Sequence, residues 1–152
     1  MPAESRSSPR EIQNYLGRIS GPLLDRIDLH VEVPAVPFRD ISSSRTGECS
    51  EDIRGRVVAA RRVQQERFKQ KPKITCNARM GSREIKSFCT VDDAILDLLK
   101  FAMTDTKLSA RAYDRVLKVA RTIADLAGSD RLTSDHVSEA IQYRSLDRQL
   151  WT

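Results

Sequence analysis

The stretch Ser109-Ala110-Arg111-Ala112-Tyr113-Asp114-Arg115-Val116-Leu117-Lys118-Val119-Ala120-Arg121-Thr122-Ile123-Ala124-Asp125-Leu126-Ala127-Gly128 decides how the chain folds. Tyr113, Val116, Leu117, Ala120, Ile123 and Ala124 recur at spacings of three and four, which puts them on one stripe of an α-helix. Ser109 can cap its start and Gly128 can stop its end, and this is expected to be the longest helix of the chain. Upstream, Ile95, Leu98, Leu99, Ala102 and Met103 predict a second core helix over about 91–104, opened by Thr90-x-x-Asp93, a capping box with Asp in place of Glu. Downstream, Thr133 or Ser134 caps a third over about 134–144 with Val137, Ala140 and Ile141 inward, and residues 145–151 add a turn. Ser50 caps a further helix, with Glu51 and Asp52 in its first turn and Ile53, Val57, Ala60 and Val63 on its inner face. Lys71-Pro72-Lys73 ends it, a basic loop runs to Gly81, and Ser82 starts a short helix with Ile85, Phe88 and Cys89 inward. The fold class is therefore mainly α, a helical bundle from Ser50 onward.

The amino-terminal part reads differently. Ser8 caps a helix from Pro9 to about Ile19, and Gly21-Pro22 breaks it. Ile27-Asp28-Leu29-His30-Val31-Glu32-Val33 alternates apolar and polar, the pattern of a strand, and Pro34 and Pro37 end it. One strand cannot satisfy its own backbone groups, so it is expected to pair with a strand outside this sequence, and the sequence reads as part of a longer protein. Residues 39–49 read as a linker.

Of the 152 residues, 39% are hydrophobic and 31% charged, a globular composition with no apolar run long enough to span a bilayer, and no secretory leader is expected. The net charge of +5 is unevenly placed. Eleven basic residues fall between Ile53 and Lys86, opposed by Glu66 and Glu84 alone, so that segment stands at +9 and the rest of the chain at −4. Such a block is either a footprint for a polyanion or a solvated face. The three cysteines, Cys49, Cys76 and Cys89, have neither disulfide nor zinc spacing, and the expected compartment is a reducing cytoplasm. No metal site is expected. His30 and His136 have no nucleophile in a recognisable arrangement and are read as structural, and there is no phosphate-binding glycine loop. Two arginines stand out by position. Arg26, at the turn before the strand and braced by Asp25 or Asp28, can reach a phosphate on a neighbouring molecule or be an ordinary surface arginine. Arg111, with Arg115, lies in the first turn of the long helix, where an anion rather than a cation is favoured.

These residues lie in three stretches that resemble one family. Tyr15-Leu16-Gly17-Arg18-Ile19-Ser20-Gly21-Pro22-Leu23-Leu24-Asp25-Arg26-Ile27-Asp28-Leu29-His30-Val31-Glu32-Val33 resembles the end of the AAA+ core in magnesium-chelatase-like ATPases, above all the bacterial YifB/ComM family. Leu108 to Ala127 resembles the same family's carboxy-terminal lid, and Ala140-Ile141-Gln142-Tyr143-Arg144 its closing helix. The resemblance implies that residues 1–38 are the end of the ATPase core, 39–49 a linker and 50–152 the helical lid. It implies that Arg26 is an arginine finger acting in the neighbouring subunit of a homo-oligomeric, hexameric ring, and that Arg111 is the sensor-2 contact to the nucleotide, with Arg115 second and Arg18 a lesser candidate. ATP and Mg2+ are implied for the longer protein. Both nucleotide-binding Walker motifs lie upstream of what is present, so the chain is expected to be inactive alone. Ser5-Arg6-Ser7 stands where the family often has Cys-x-Cys.

The family's role in DNA processing, including branch migration, makes DNA the partner implied for Arg54, Arg61, Arg62, Lys69, Lys71 and Lys73, with a subunit interface or plain solvation as the other readings. No membrane partner is expected. Two alternatives are a magnesium-chelatase subunit and a freestanding basic helical nucleic-acid-binding module. The unpaired strand argues against the second.

Overall fold

The computed structural model describes residues 7–18, 23, 26–41, 47–106 and 110–144. Its elements are α1 (Pro9–Leu16), α2 (Phe38–Ile41), α3 (Ser50–Arg67), a 3-10 turn (Asn77–Arg79), α4 (Ser82–Phe88), α5 (Asp93–Thr106), α6 (Ala110–Leu126) and α7 (Ser134–Gln142). The chain is mainly helical, as its periodicity predicts. The expected cap Ser109, the Gly21-Pro22 break, Asp25 and the turn over 145–151 lie outside the described residues.

The core is the one that α6 announces. Val116, Leu117, Ala120 and Ala124 pack with Ile95 and Leu99 of α5, Val137 and Ala140 of α7, and Phe68, Met80, Ile85 and Cys89 from the preceding segment. Phe68 and Phe88 meet edge to face with centroids 5.5 Å apart. Burial pushes the Cys89 thiol up to about 11, the behaviour of a packed, unreactive cysteine. Gly128 takes φ +67° and closes α6 in a Schellman motif: Ser129 N–H donates to the Ala124 carbonyl (2.8 Å) and Gly128 N–H to that of Asp125 (3.3 Å). Ser8 and Glu11 form a capping box on α1, and Thr133 caps α7 with His136, whose ring lies against the Thr133 hydroxyl at 3.1 Å, a structural role.

A buried ionic cluster fastens the elements around α6. Arg67, at the end of α3, donates to both oxygens of Asp125 (2.7 and 2.5 Å) and to Asn77 Oδ1 (2.9 Å). Asn77 Nδ2 donates to Asp125 Oδ2 (2.8 Å) and Thr122 Oγ1 (3.1 Å). Arg121 adds Nε to Asp125 Oδ1 (3.1 Å) and reaches the carbonyls of Asp130 (2.8 Å) and Ser129 (2.5 Å). Burial alone would raise the Asp125 carboxyl. Hydrogen bonds from Arg67 and Asn77 and the charges of Arg67 and Arg121 outweigh it and hold that carboxyl below the ordinary range.

Several expectations are refined or corrected. The segment 27–33 pairs with no strand among the described residues, and its expected partner lies outside this sequence. It runs extended with Leu29, Val31 and Val33 exposed and His30 buried, and the His30 N–H and the Ile27 carbonyl are bonded to the residues just after α7. Ile53, Val57 and Val63 are exposed, since α3 meets the bundle only from Ala60 onward and its first half projects. Its cap position is Cys49 rather than Ser50, and at 18 residues it exceeds α6 by one. Asp92 rather than Thr90 caps α5, accepting from Ile95 N–H at 2.9 Å. The helix Phe38–Ile41 runs into the expected linker.

Removing one partner of a buried ion pair strands the other, so Asp125→Ala and Arg67→Ala should each cost about 3–5 kcal/mol in urea unfolding. An unfolded Asp titrates near ~3.9. Because the folded value is lower, the Asp125 contribution is complete above that pH and is lost as pH falls through the folded value. Asp125→Asn should flatten the acid limb of a stability–pH profile, and an unaltered limb would refute this assignment.

Candidate functional site

The two regions singled out for phosphate chemistry meet. Arg115, on α6, points Nη1 at the carbonyl of Arg26 (2.7 Å) and forms an ion pair with the Asp28 carboxylate. Arg144, just past α7, donates to the carbonyl of Ile27 at 2.5 Å. The His30 N–H donates to the Tyr143 carbonyl at 2.7 Å, and the Arg26 N–H closes its own turn onto the Leu23 carbonyl at 3.0 Å. Residues 26–30 are thus fastened through their backbone to one end of the bundle, while the Arg26 residue is exposed.

The local reasons are legible. Arg115 is one turn along α6 from Arg111, on the flank beside the core stripe, and is only partly exposed. Arg111, in the first turn, is exposed. The helix terminus favours negative charge, so the Arg111 cation gains nothing from it, whereas Arg115 is paired with Asp28. Asp28, expected to brace Arg26, braces its neighbourhood through Arg115 instead. Arg18 is exposed just past α1, where its N–H donates to the Tyr15 carbonyl at 3.1 Å.

The basic block divides into used and open charges. Arg67 is consumed by Asp125, Lys71 pairs with Glu84 at 2.6 Å, and Lys69 pairs with Glu66 at 3.3 Å on the surface. Arg61 donates to Gln64 at 3.2 Å and Arg56 pairs with Glu48 at 2.6 Å. Arg54, Arg62, Lys73, Arg79, Arg83 and Lys86 are exposed. No group of three or more His, Cys, Asp or Glu able to hold a metal occurs among the described residues, and no described helix is long and apolar enough to cross a membrane.

Sequence reading missed Tyr143 and Arg144 as partners of the Arg26 turn, and it missed Asn77 and Asp125 as the hub beneath α6. The contacts to Arg26 and Ile27 join residues 89 and 117 positions apart, beyond any local pattern. Only the Arg121-x-x-x-Asp125 spacing, with Asp125 beside the core residue Ala124, carried a signal.

Two family models match the chain: "Magnesium chelatase, subunit ChlI C-terminal" over residues 47–144 and "Magnesium chelatase, subunit ChlI" over residues 1–41. The chain is 41% identical to "Competence protein ComM" of Haemophilus influenzae and 42% identical to "Uncharacterized protein YifB" of Escherichia coli, each over 147 residues. These alignments cover 96% of this chain and 28% of each relative. An uncharacterized protein of Mycobacterium tuberculosis is 34% identical over 132 residues, 87% of this chain and 26% of the relative. The chain thus spans under a third of the length of the curated relatives it matches.

The Asp28 partner of Arg115 is about half exposed, so the pair should contribute little to stability. Arg115→Ala should lower unfolding free energy by about 1 kcal/mol or less, and the difference should shrink as salt rises. A loss comparable to that of Asp125→Ala would contradict this partition between site and core.

Proposed function

The chain belongs to the magnesium-chelatase-like AAA+ family that includes YifB and ComM, and on that premise we propose that it supplies the arginine finger and helical lid of a ring-forming ATPase acting on DNA. The observation that carries the reading is the joint between residues 26–30 and the bundle. It leaves Arg26 exposed at the tip of a turn whose backbone is otherwise engaged. A guanidinium presented this way is always charged, planar and free to enter the phosphate site of an adjoining subunit.

The residues fit the phosphate end of ATP: Arg26 and Arg111 are exposed cations, and Arg111 stands at a helix start suited to anions. When bound, ATP supplies the cleavable γ-phosphoryl bond. The part of this chain is electrostatic and positional. Arg26 neutralises charge developing on the phosphoryl oxygens of the neighbour, and Arg111 holds phosphate from the lid. On this reading the Walker elements and the Mg2+ ligands would come from a part of the longer protein outside this sequence. The exposed apolar residues Leu29, Val31, Val33, Val36 and Phe38, and those of projecting α3, are surface that the upstream core or a neighbouring subunit would cover.

DNA is the substrate this reading favours. Exposed Arg54, Arg62, Lys73, Arg79, Arg83 and Lys86 fall in the +9 segment, and one relative is by name a competence protein. Lys71 and Lys69, already paired, and Arg61, bonded to Gln64, are the weaker members of the patch. The case against a freestanding nucleic-acid module rests on family membership. The chelatase reading rests on the description of the family models.

The purified chain should show no ATP turnover. Joined to its upstream core, DNA-stimulated turnover should fall by about 10³-fold or more in Arg26→Ala. Full activity in that variant would reject the finger. DNA affinity of the assembled ATPase should fall steeply with salt, and Arg54→Ala/Arg62→Ala should lessen that slope by about two phosphate contacts. A slope unmoved by that double substitution would take the patch out of the DNA interface.

A further inference from the structure

We infer that Arg115 and Asp28 form the joint through which the lid sets the position of Arg26, so that Arg115 is a positioning residue for hydrolysis in the adjacent subunit. The inference rests on the reading of Arg26 as a finger. Its support is the set of contacts between a single turn and a single face of the bundle. One guanidinium, that of Arg115, spans the Arg26 carbonyl and the Asp28 carboxylate. Arg144 takes the carbonyl between them, that of Ile27, and the Tyr143 carbonyl takes the His30 N–H. The donors and acceptor on the bundle side belong to α6 and the residues just after α7, and these two helices share the buried core.

Two features make this more than a surface ion pair. Residues 26–30 are bonded to the bundle at four points: the Arg26 and Ile27 carbonyls, the Asp28 carboxylate and the His30 N–H. The bundle therefore has a direct hold on the position of the turn. Arg111 precedes Arg115 by one helical turn, a rise of about 6 Å along a rigid element. A change in lid angle that follows phosphate contact at Arg111 thus carries Arg115, and with it the Arg26 turn, in the same movement. Because Arg26 acts across the subunit boundary, nucleotide state in one subunit is passed to hydrolysis in the next through the Arg115–Asp28 pair. The pair supplies geometry rather than stability, and geometry is what a phosphoryl-transfer group needs: a displacement of about 1 Å can cost about 100-fold.

The test uses the full-length ATPase and a cycle of Arg26→Ala, Arg115→Ala and the double variant. Arg115→Ala should lower kcat by about 100-fold with KM for ATP little changed. Arg115→Lys, which keeps a donor and the charge, should recover part of the loss. The double variant should be no slower than Arg26→Ala alone, because Arg115 acts through Arg26. Independent, multiplying losses would overturn the inference, as would an Arg115→Ala enzyme of normal kcat. Hydrogen exchange separates this from the finger reading. Arg115→Ala should speed exchange of the His30 amide by about tenfold or more while α6 core amides are unmoved, and an unmoved His30 amide would overturn the joint. If Arg26→Ala is fully active while the His30 amide still responds, the finger reading falls and the positioning role falls with it, but the joint stands.

Discussion

The structure depends on one buried carboxylate. Asp125 sits on the core side of α6 and is held by two guanidiniums and an amide that come from three places in the chain. None of these groups is tolerable alone in the interior, since an unpaired buried charge costs several kcal/mol. Together they fix a single arrangement. Arg67 brings the end of α3 to α6, Asn77 brings the loop before α4, and Arg121 ties the turn after α6 through the carbonyls of Ser129 and Asp130. Apolar packing is non-directional, whereas these hydrogen bonds are directional and define a register.

That register gives the far end of α6 its role. With its second half pinned, the helix presents Arg111 and Arg115 from a rigid base. Arg115 then has Asp28 and the Arg26 carbonyl within reach, and Arg144 completes the hold from beyond α7. The basic block is accounted for in the same way. Part of it is spent on folding, by Arg67 and Lys71, and the remainder stays open on the surface. A net charge counted along the sequence therefore overstates what a polyanion would meet.

The helices and their order were legible because burial of an apolar stripe imposes a period, and the stripes of α5, α6 and α7 are long. Gly128 was legible because only glycine takes that backbone angle without strain. The segment 27–33 is extended, as its alternation predicts, but alternation records only which side chains are apolar and cannot say where a partner strand lies. α3 misled at Ile53 and Val57 because an apolar face waits for a surface, and the bundle ends before reaching them. Asp125 and Asn77 were hidden because polar residues carry no periodic mark of burial. Arg26, Arg111 and Arg115 were singled out from motif resemblance and helix-end electrostatics. That Arg26 and Arg115 meet was out of reach, since no local rule joins positions 89 apart.

The central claim is that Arg26 works in a neighbouring subunit. It is tested most directly by mixing two inactive forms of the full-length ATPase. One carries Arg26→Ala with an intact upstream phosphate loop, and the other has that loop disabled with Arg26 intact. If the finger acts across the boundary, mixed rings contain complete sites and should recover ATP turnover that neither form has alone. A mixture that assembles but stays as inactive as its components would contradict the account.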